Sequence, residues 1–351
     1  MSDYHVVLVG CGIIGTHVVP ELPRETGVSE ITLCDPDCYS AANLRVQSID
    51  AADVGRGKAV VQAERLRRID PALKVNVLEE RVEDVPRGMF RSDLLLSCLD
   101  SRSARQRVNE LATRLGIPWI DVGVLGSQSL VRLNSYVPSQ SGPCLECNWS
   151  HQDYAALEQE YPCGATTGDS YPSMASSALG AVAGALMAVE IGKFLRGDLA
   201  ASAASRQVIL DVQNHRLLVT TDKRNPWCMF DHLAWHVQPW RRRPEDVTVD
   251  EALAEMGSLR VEGHRFATGL QCPACSHREE SLRLNRPPAR CPACNFRMVA
   301  TGIGSFDRLD RELAGDSLSL TLAQVGLRAG DVVTGGDWTH RIHHRMLEAA
   351  A

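Results

Sequence analysis

The chain has 351 residues, 44% of them hydrophobic and 23% charged, with a formal net charge of −6 at pH 7. That length suits two domains and a sizeable core, and the mild negative charge with only 5% aromatic residues argues against nucleic acid as the main partner. No signal-peptide pattern precedes the first apolar run, so the chain reads as cytoplasmic, where its 12 cysteines point to metal or thiol chemistry before disulfides.

The elements follow in order. HVVLVG (5–10) is a β-branched run ending at glycine, and THVVPELPRETG (16–27) is an irregular helix cut short by Pro20 and Pro23. EITLCD (30–35) is a strand, GRGKAVVQAERLRRI (55–69) a helix, KVNVLEE (74–80) and DLLLSCLD (93–100) strands, ARQRVNELATRLG (104–116) a helix and PWIDVGV (118–124) a strand. Such alternation predicts an α/β fold, a Rossmann-like doubly wound and mostly parallel sheet, with ligands beyond the carboxyl ends of its strands. The most apolar stretch, SSALGAVAGALMAVEIGKFL (176–195), is interrupted by Ser176, Ser177 and Glu190. Its small residues suit close packing inside a protein better than a membrane span.

Gly10, Gly12 and Gly15 form G-x-G-x-x-G directly after the first strand, and Asp35 ends the second strand at the interval that reaches a ribose hydroxyl. This is a nucleotide site that serves NAD and ATP alike. The loop after the second strand separates them, because Asp35, Asp37, Asn43, Arg45 and Lys58 gather there, and a dehydrogenase needs little beyond one carboxylate. Cations and amides beside the cradle suit a triphosphate, and Asp100, on the same rim, suits Mg2+ between phosphate oxygens. An NAD-dependent oxidoreductase is disfavoured, since no hydride-transfer constellation follows the glycine turn.

GCGIIG, DPD followed by NLRVQ, GRGK, CLDSRSARQRVNELA and GPCLEC, in that order between Val6 and His232, resemble the ThiF/MoeB-type adenylyltransferases, which include the ubiquitin-activating enzymes. The resemblance implies ATP-dependent adenylation of the C-terminal Gly-Gly carboxylate of a ubiquitin-like or sulfur-carrier protein. It implies that Asp35 contacts the ribose, that Asn43, Arg45 and Lys58 contact the phosphates, and that Asp100 organises magnesium. Arg105 and Asn109 match the arginine and asparagine of the family's following helix, and serve equally as helix surface and packing. The family's N-L-x-R-Q stands here as Asn43-Leu44-Arg45-Val46-Gln47, with the arginine one place early, which turns a helical side chain by about 100°. Many members carry an N-terminal arginine segment that reaches a partner's site. This chain starts at its first strand, so the resemblance implies a homodimer, a heterodimer with an activating-enzyme-like subunit, or an internal substitute.

Cys163, in QEYPCGATTGDSYPS, lies where members carry the cysteine that accepts the activated tail, as a thioester or persulfide, and a buried packing role is the alternative. Cys11, Cys34, Cys38 and Cys98 have no metal spacing and read as packing residues. Cys272 and Cys275 with Cys291 and Cys294 form C-x2-C-x15-C-x2-C, the spacing of a structural Zn2+ site, with a disulfide pair as the alternative. Cys144 and Cys147 are a third pair. In the family a later C-x-x-C completes that site, and here RNPWCMFDH offers Cys228 and His232, with Asp231 in reserve. The competing assignment recruits one of the CPAC pairs.

These readings divide the chain into an adenylation domain with its own zinc site (1–238), a linker (239–246) and a C-terminal zinc-ribbon domain (247–351). Within the last, LSLTLAQVGLRAGDVVTG (318–335) resembles the closing part of β-grasp folds. Two further functions stand beside carrier activation: adenylation of a peptide C-terminus in modified-peptide biosynthesis, and a non-catalytic nucleotide-binding subunit.

Overall fold

The computed structural model describes residues 3–158, 175–199, 202–286, 289–300, 304–336 and 343–347. They fall into two compact units, one of residues up to Glu83 together with Phe90–Ala234, the other of Asp84–Met89 with residues from Trp235 onward.

The first unit is built on an eight-stranded sheet. Its strands are β1 (Tyr4–Val9), β2 (Val28–Cys34), β3 (Lys74–Leu78), β4 (Leu94–Ser97), β5 (Trp119–Leu125), β6 (Leu130–Tyr136), β7 (Arg206–Asp211) and β8 (Arg216–Thr221), in the order β3-β2-β1-β4-β5-β6-β7-β8. The first five in that order pair in parallel and the rest antiparallel. Val6–Val9 and Leu94–Ser97 are buried throughout, as parallel strands covered on both faces must be. The order reverses between β1 and β4, which opens a crevice at their carboxyl ends.

Helix α1 is short (Gly15–Val18) and passes into a 3-10 turn over Val19–Arg24, where Pro20 and Pro23 remove backbone donors. Helix α2 (Lys58–Ile69) buries Ala59, Ala63 and Leu66, spaced to lie on one face. Helix α3 (Arg102–Leu115) starts at Ser101, whose hydroxyl accepts from Ala104 N, and stops at Gly116, whose φ of 70° is the left-handed cap. A short helix α4 (His151–Glu158) follows.

Helix α5 (Ser177–Leu195) is long and apolar enough to cross a membrane by length and composition. Here it packs on the sheet. A Cβ on Gly180 would meet Ile13, and one on Gly184 would meet His17, so the two glycines bring α5 close against α1. Buried Glu190 accepts from Ser135 Oγ and Ala203 N, an arrangement of a protein interior.

The second unit has its own core around Val249, Leu253, Leu259, Phe266 and Leu322. In its four-stranded sheet, Val332–Gly335 and His343–Leu347 lie at the centre, flanked by Arg260–Val261 and Val237–Trp240. Strand Val237–Trp240 thus occupies the start of the segment read as a linker, and Trp240 is buried, its indole donating to Glu255. Of two small three-stranded sheets, the one made of Arg278–Glu279, Leu270–Gln271 and Val299–Ala300 carries the CPAC knuckles.

Candidate functional site

Gly10 leaves β1 with φ 98°, and a Cβ there would lie 2.7 Å from the Cys98 carbonyl oxygen at the end of β4. Only glycine permits that approach across the crevice. A Cβ on Gly15 would collide with the Gly10 carbonyl oxygen. Gly12 differs, because a Cβ there would meet only Gln47 Nε2, at 4.0 Å. Gly10 and Gly15 therefore close the turn, while Gly12 leaves an open cradle above it. The buried Oε1 of Gln47 has no hydrogen-bond partner among the described residues. An unpaired buried acceptor is costly.

Asp35 follows β2 directly and is only 6% exposed. Its Oδ2 accepts from Cys11 N at 2.6 Å and its Oδ1 from Asp37 N at 2.9 Å, which ties the second strand's end to the glycine turn. Burial raises its carboxyl pKa above the ordinary range, opposed by the Lys58 charge and the two N–H bonds. Tyr39 braces the same loop: its hydroxyl donates to the Cys11 carbonyl and accepts from Gln62.

Lys58 opens α2 and donates to Asp37 Oδ2 at 2.8 Å. Burial opposes its charge, but the bond to Asp37 and the fields of Asp35, Asp37 and Asp100 outweigh it and raise its pKa. Three predicted carboxylates thus surround one predicted ammonium. Asp100 is exposed on the β4 rim with no hydrogen bond or ion pair among the described residues, a free hard-oxygen donor of the kind Mg2+ takes. Asn43 spends its side-chain oxygen on Ser40 N, at 2.7 Å, capping the 3-10 turn Ala41–Arg45. Arg45 ends that turn exposed to solvent. Cys163 lies outside the described residues.

Beyond the rim, Asn109 is fully buried and holds the Cys144–Cys147 turn, accepting from Leu145 N and donating to Glu146. Cys144, Cys147, Cys228 and His232 converge, their ligand atoms all within 4.8 Å of one another. The Sγ atoms of Cys144 and Cys228 are 3.8 Å apart, and Cys147 Sγ is 3.5 Å from His232 Nε2. Two thiolates about 2.3 Å from a tetrahedral ion stand about 3.8 Å apart, so this donor set fits zinc. Asp231 is committed elsewhere, its carboxylate paired with Arg114 at 2.5 and 3.0 Å. Hydrogen bonding from Cys144 first, then from Asn225 N, holds the Cys147 thiol well below its ordinary pKa.

Cys272, Cys275, Cys291 and Cys294 form a second set by themselves. Their two knuckles repeat one geometry: Ser276 N and Asn295 N donate to Cys272 and Cys291 carbonyls, and both residues take φ near 60°. Neither CPAC pair is drawn to Cys144. Among the four cysteines read as packing residues, Cys11, Cys34 and Cys98 are buried, but Cys38 is exposed and needs correcting, because the loop after β2 buries Tyr39 in its place. All eleven described cysteines are free.

The pattern of the ThiF family matches residues 1–229. The chain belongs to the ThiF family. It is 28% identical over 152 residues to the sulfur carrier protein ThiS adenylyltransferase of Escherichia coli, covering 42% of this chain and 59% of that protein. It is 28% identical over 232 residues to a sulfur carrier protein adenylyltransferase of Thermus thermophilus, covering 64% and 80%. The chain therefore spans less than two thirds of the Escherichia coli relative. Its fold resembles the crystal structure of Escherichia coli MccB with ATP, at a TM-score of 0.53 and 22% identity over 65% of this chain and 66% of that one. The relatives are adenylyltransferases, and the family implies nucleotide binding here.

Residues that sequence reasoning passed over complete the site. Tyr39 and Arg114 carry no motif of their own. Strands β6 to β8 were also missed, although two apolar runs around the turn at Gln213 to His215 signal the β7–β8 hairpin, where His215 has φ 53°.

Proposed function

We propose that this protein uses ATP to adenylate the C-terminal glycine carboxylate of a ubiquitin-like or sulfur-carrier protein, in the cytoplasm. The observation that carries the reading is Lys58, set among Asp35, Asp37 and Asp100 beside a glycine turn whose middle position is open. An ammonium there faces the phosphates of a nucleotide whose ribose meets Asp35, and Arg45 is free to swing onto the same phosphates.

The tail carboxylate oxygen attacks the α-phosphorus, the bond from that phosphorus to pyrophosphate breaks, and an acyl adenylate remains. The chain's part is to orient the two substrates and to neutralise charge with Lys58 and Arg45. Asp100 would hold magnesium, which when bound neutralises phosphate charge. Cys163 would then attack the acyl carbonyl carbon and break its bond to the AMP oxygen, as a thiolate to give a thioester or, once loaded with sulfane sulfur by a persulfide donor, to give an acyl disulfide, and AMP leaves. Both cysteine-rich sets would hold structural zinc.

The test mixes the protein with ATP, magnesium and a carrier ending in Gly-Gly, or a short peptide with a free C-terminus, and follows pyrophosphate exchange and the mass of AMP-bearing product. A carrier adduct supports the proposal. A peptide adduct alone moves the substrate to the peptide class. ATP binding with no adduct makes this a non-catalytic subunit, and tight NAD binding with indifference to ATP overturns the reading.

A further inference from the structure

A cavity of about 540 Å³ opens beside Asp100 and is lined by Arg102, Arg105 and Arg132 among other polar side chains of the antiparallel half. Its wall is organised by a carboxylate that no motif announces. Asp121 on β5 is fully buried, and it accepts from Ser97 Oγ at 2.8 Å and from Arg132 Nη2 at 2.9 Å. Arg105 Nε stands 3.3 Å from the same carboxylate and also donates to the Leu99 carbonyl, at 3.1 Å, immediately before Asp100.

Gly123 makes room for this arrangement. A Cβ there would lie 2.5 Å from Arg105 Nη2, so the guanidinium rests directly on the glycine. Gly123 is also the residue that pairs with Arg132 across β5 and β6. Two guanidiniums therefore lie side by side and share one carboxylate. Of the other carboxylates lining the cavity, Asp153 pairs with Arg102, Asp222 accepts from the Asn134 and Asn148 amides, and Asp100 stands at the rim. Arg132 keeps 35% of its side chain exposed, with donors to spare.

We propose that Arg105 and Arg132, positioned by Asp121, form the subsite that receives the free carboxylate of the acceptor chain. The inference rests on the adenylation reading, since it names where that reaction's nucleophile is held. A planar guanidinium matches a carboxylate in two parallel hydrogen bonds, and the fixed pair presents that match without reorganising.

The probe is a synthetic decapeptide ending in Gly-Gly, as the free acid and as the C-terminal amide, titrated against the full chain with a non-hydrolysable ATP analogue. Binding of the analogue is measured first, and its absence sinks the cradle reading separately. The free acid should bind at least about tenfold tighter than the amide, the loss expected for one charge-assisted hydrogen bond. Arg132→Gln, at a half-exposed position, should abolish that preference, and Arg132→Lys should restore only part of it. Asp121→Asn should weaken it as well, by releasing both guanidiniums. Equal or absent binding of acid and amide by the unaltered protein overturns the inference, as does full retention of the preference in Arg132→Gln.

Discussion

Lys58 Nζ sits 2.8 Å from Asp37 Oδ2, in an ion pair whose aspartate side chain is 64% exposed while the lysine's is only 12% exposed. The pair parks the ammonium at the edge of the cradle, and a nucleotide would draw it away from Asp37. Lys58→Ala should lower ATP–pyrophosphate exchange by about 10²–10³-fold, the usual loss when a charge stabiliser is removed. Because the partner is largely in water, the melting temperature should hardly move, the pair being worth about 1 kcal/mol or less. A large fall in melting temperature would instead make Lys58 a structural residue.

The two inner glycines should separate folding from binding. Gly15→Ala forces a Cβ against the Gly10 carbonyl and should destabilise the protein by about 1–3 kcal/mol, read in denaturant. Gly12→Ala has room and should cost about 0.5 kcal/mol or less. Its methyl group fills the cradle, however, so ATP affinity should fall about tenfold or more. Undiminished ATP binding by Gly12→Ala would place the nucleotide elsewhere.

Metal content gives the third prediction. The protein purified from zinc-supplemented cells should carry two zinc ions per chain, by elemental analysis, one for each converged donor set. His232→Ala should lose one of them. Asp231→Ala should keep both, because that carboxylate belongs to Arg114. Equal zinc loss in the two variants would exchange the roles of the neighbouring residues.

His17 predicts a pH effect. Burial first, and then the Arg65 charge, lower its pKa from the ordinary 6.5. The folded protein therefore holds the neutral ring, while the unfolded chain takes up a proton first as pH falls. This contribution to stability is full above about pH 6.5 and is lost as pH drops through the folded-state pKa. Urea unfolding at pH 5.0 and 7.5 should show a smaller difference for His17→Leu than for the unaltered protein.

Much of the parallel half was legible because its signals are local. A β-branched run ending in glycine and the alternation of strand and helix signals act over short stretches of chain, so β1, β2, α2 and α3 stand close to where those signals placed them. The CPAC pairs belong to the same class, since two bonds per knuckle set their shape before any packing.

The sequence by itself determined the glycine turn, the carboxylates that follow the strands and which cysteines come in pairs, because spacing along the chain is enough to bring those groups together. Only the tertiary structure decided that Asp231 turns to Arg114 while His232 turns to Cys147, that Cys38 is exposed, and that Gly123 seats Arg105 beside Arg132. Those outcomes depend on strand register and on contacts between residues far apart in the chain, where a shift of one residue sends a side chain to the opposite face.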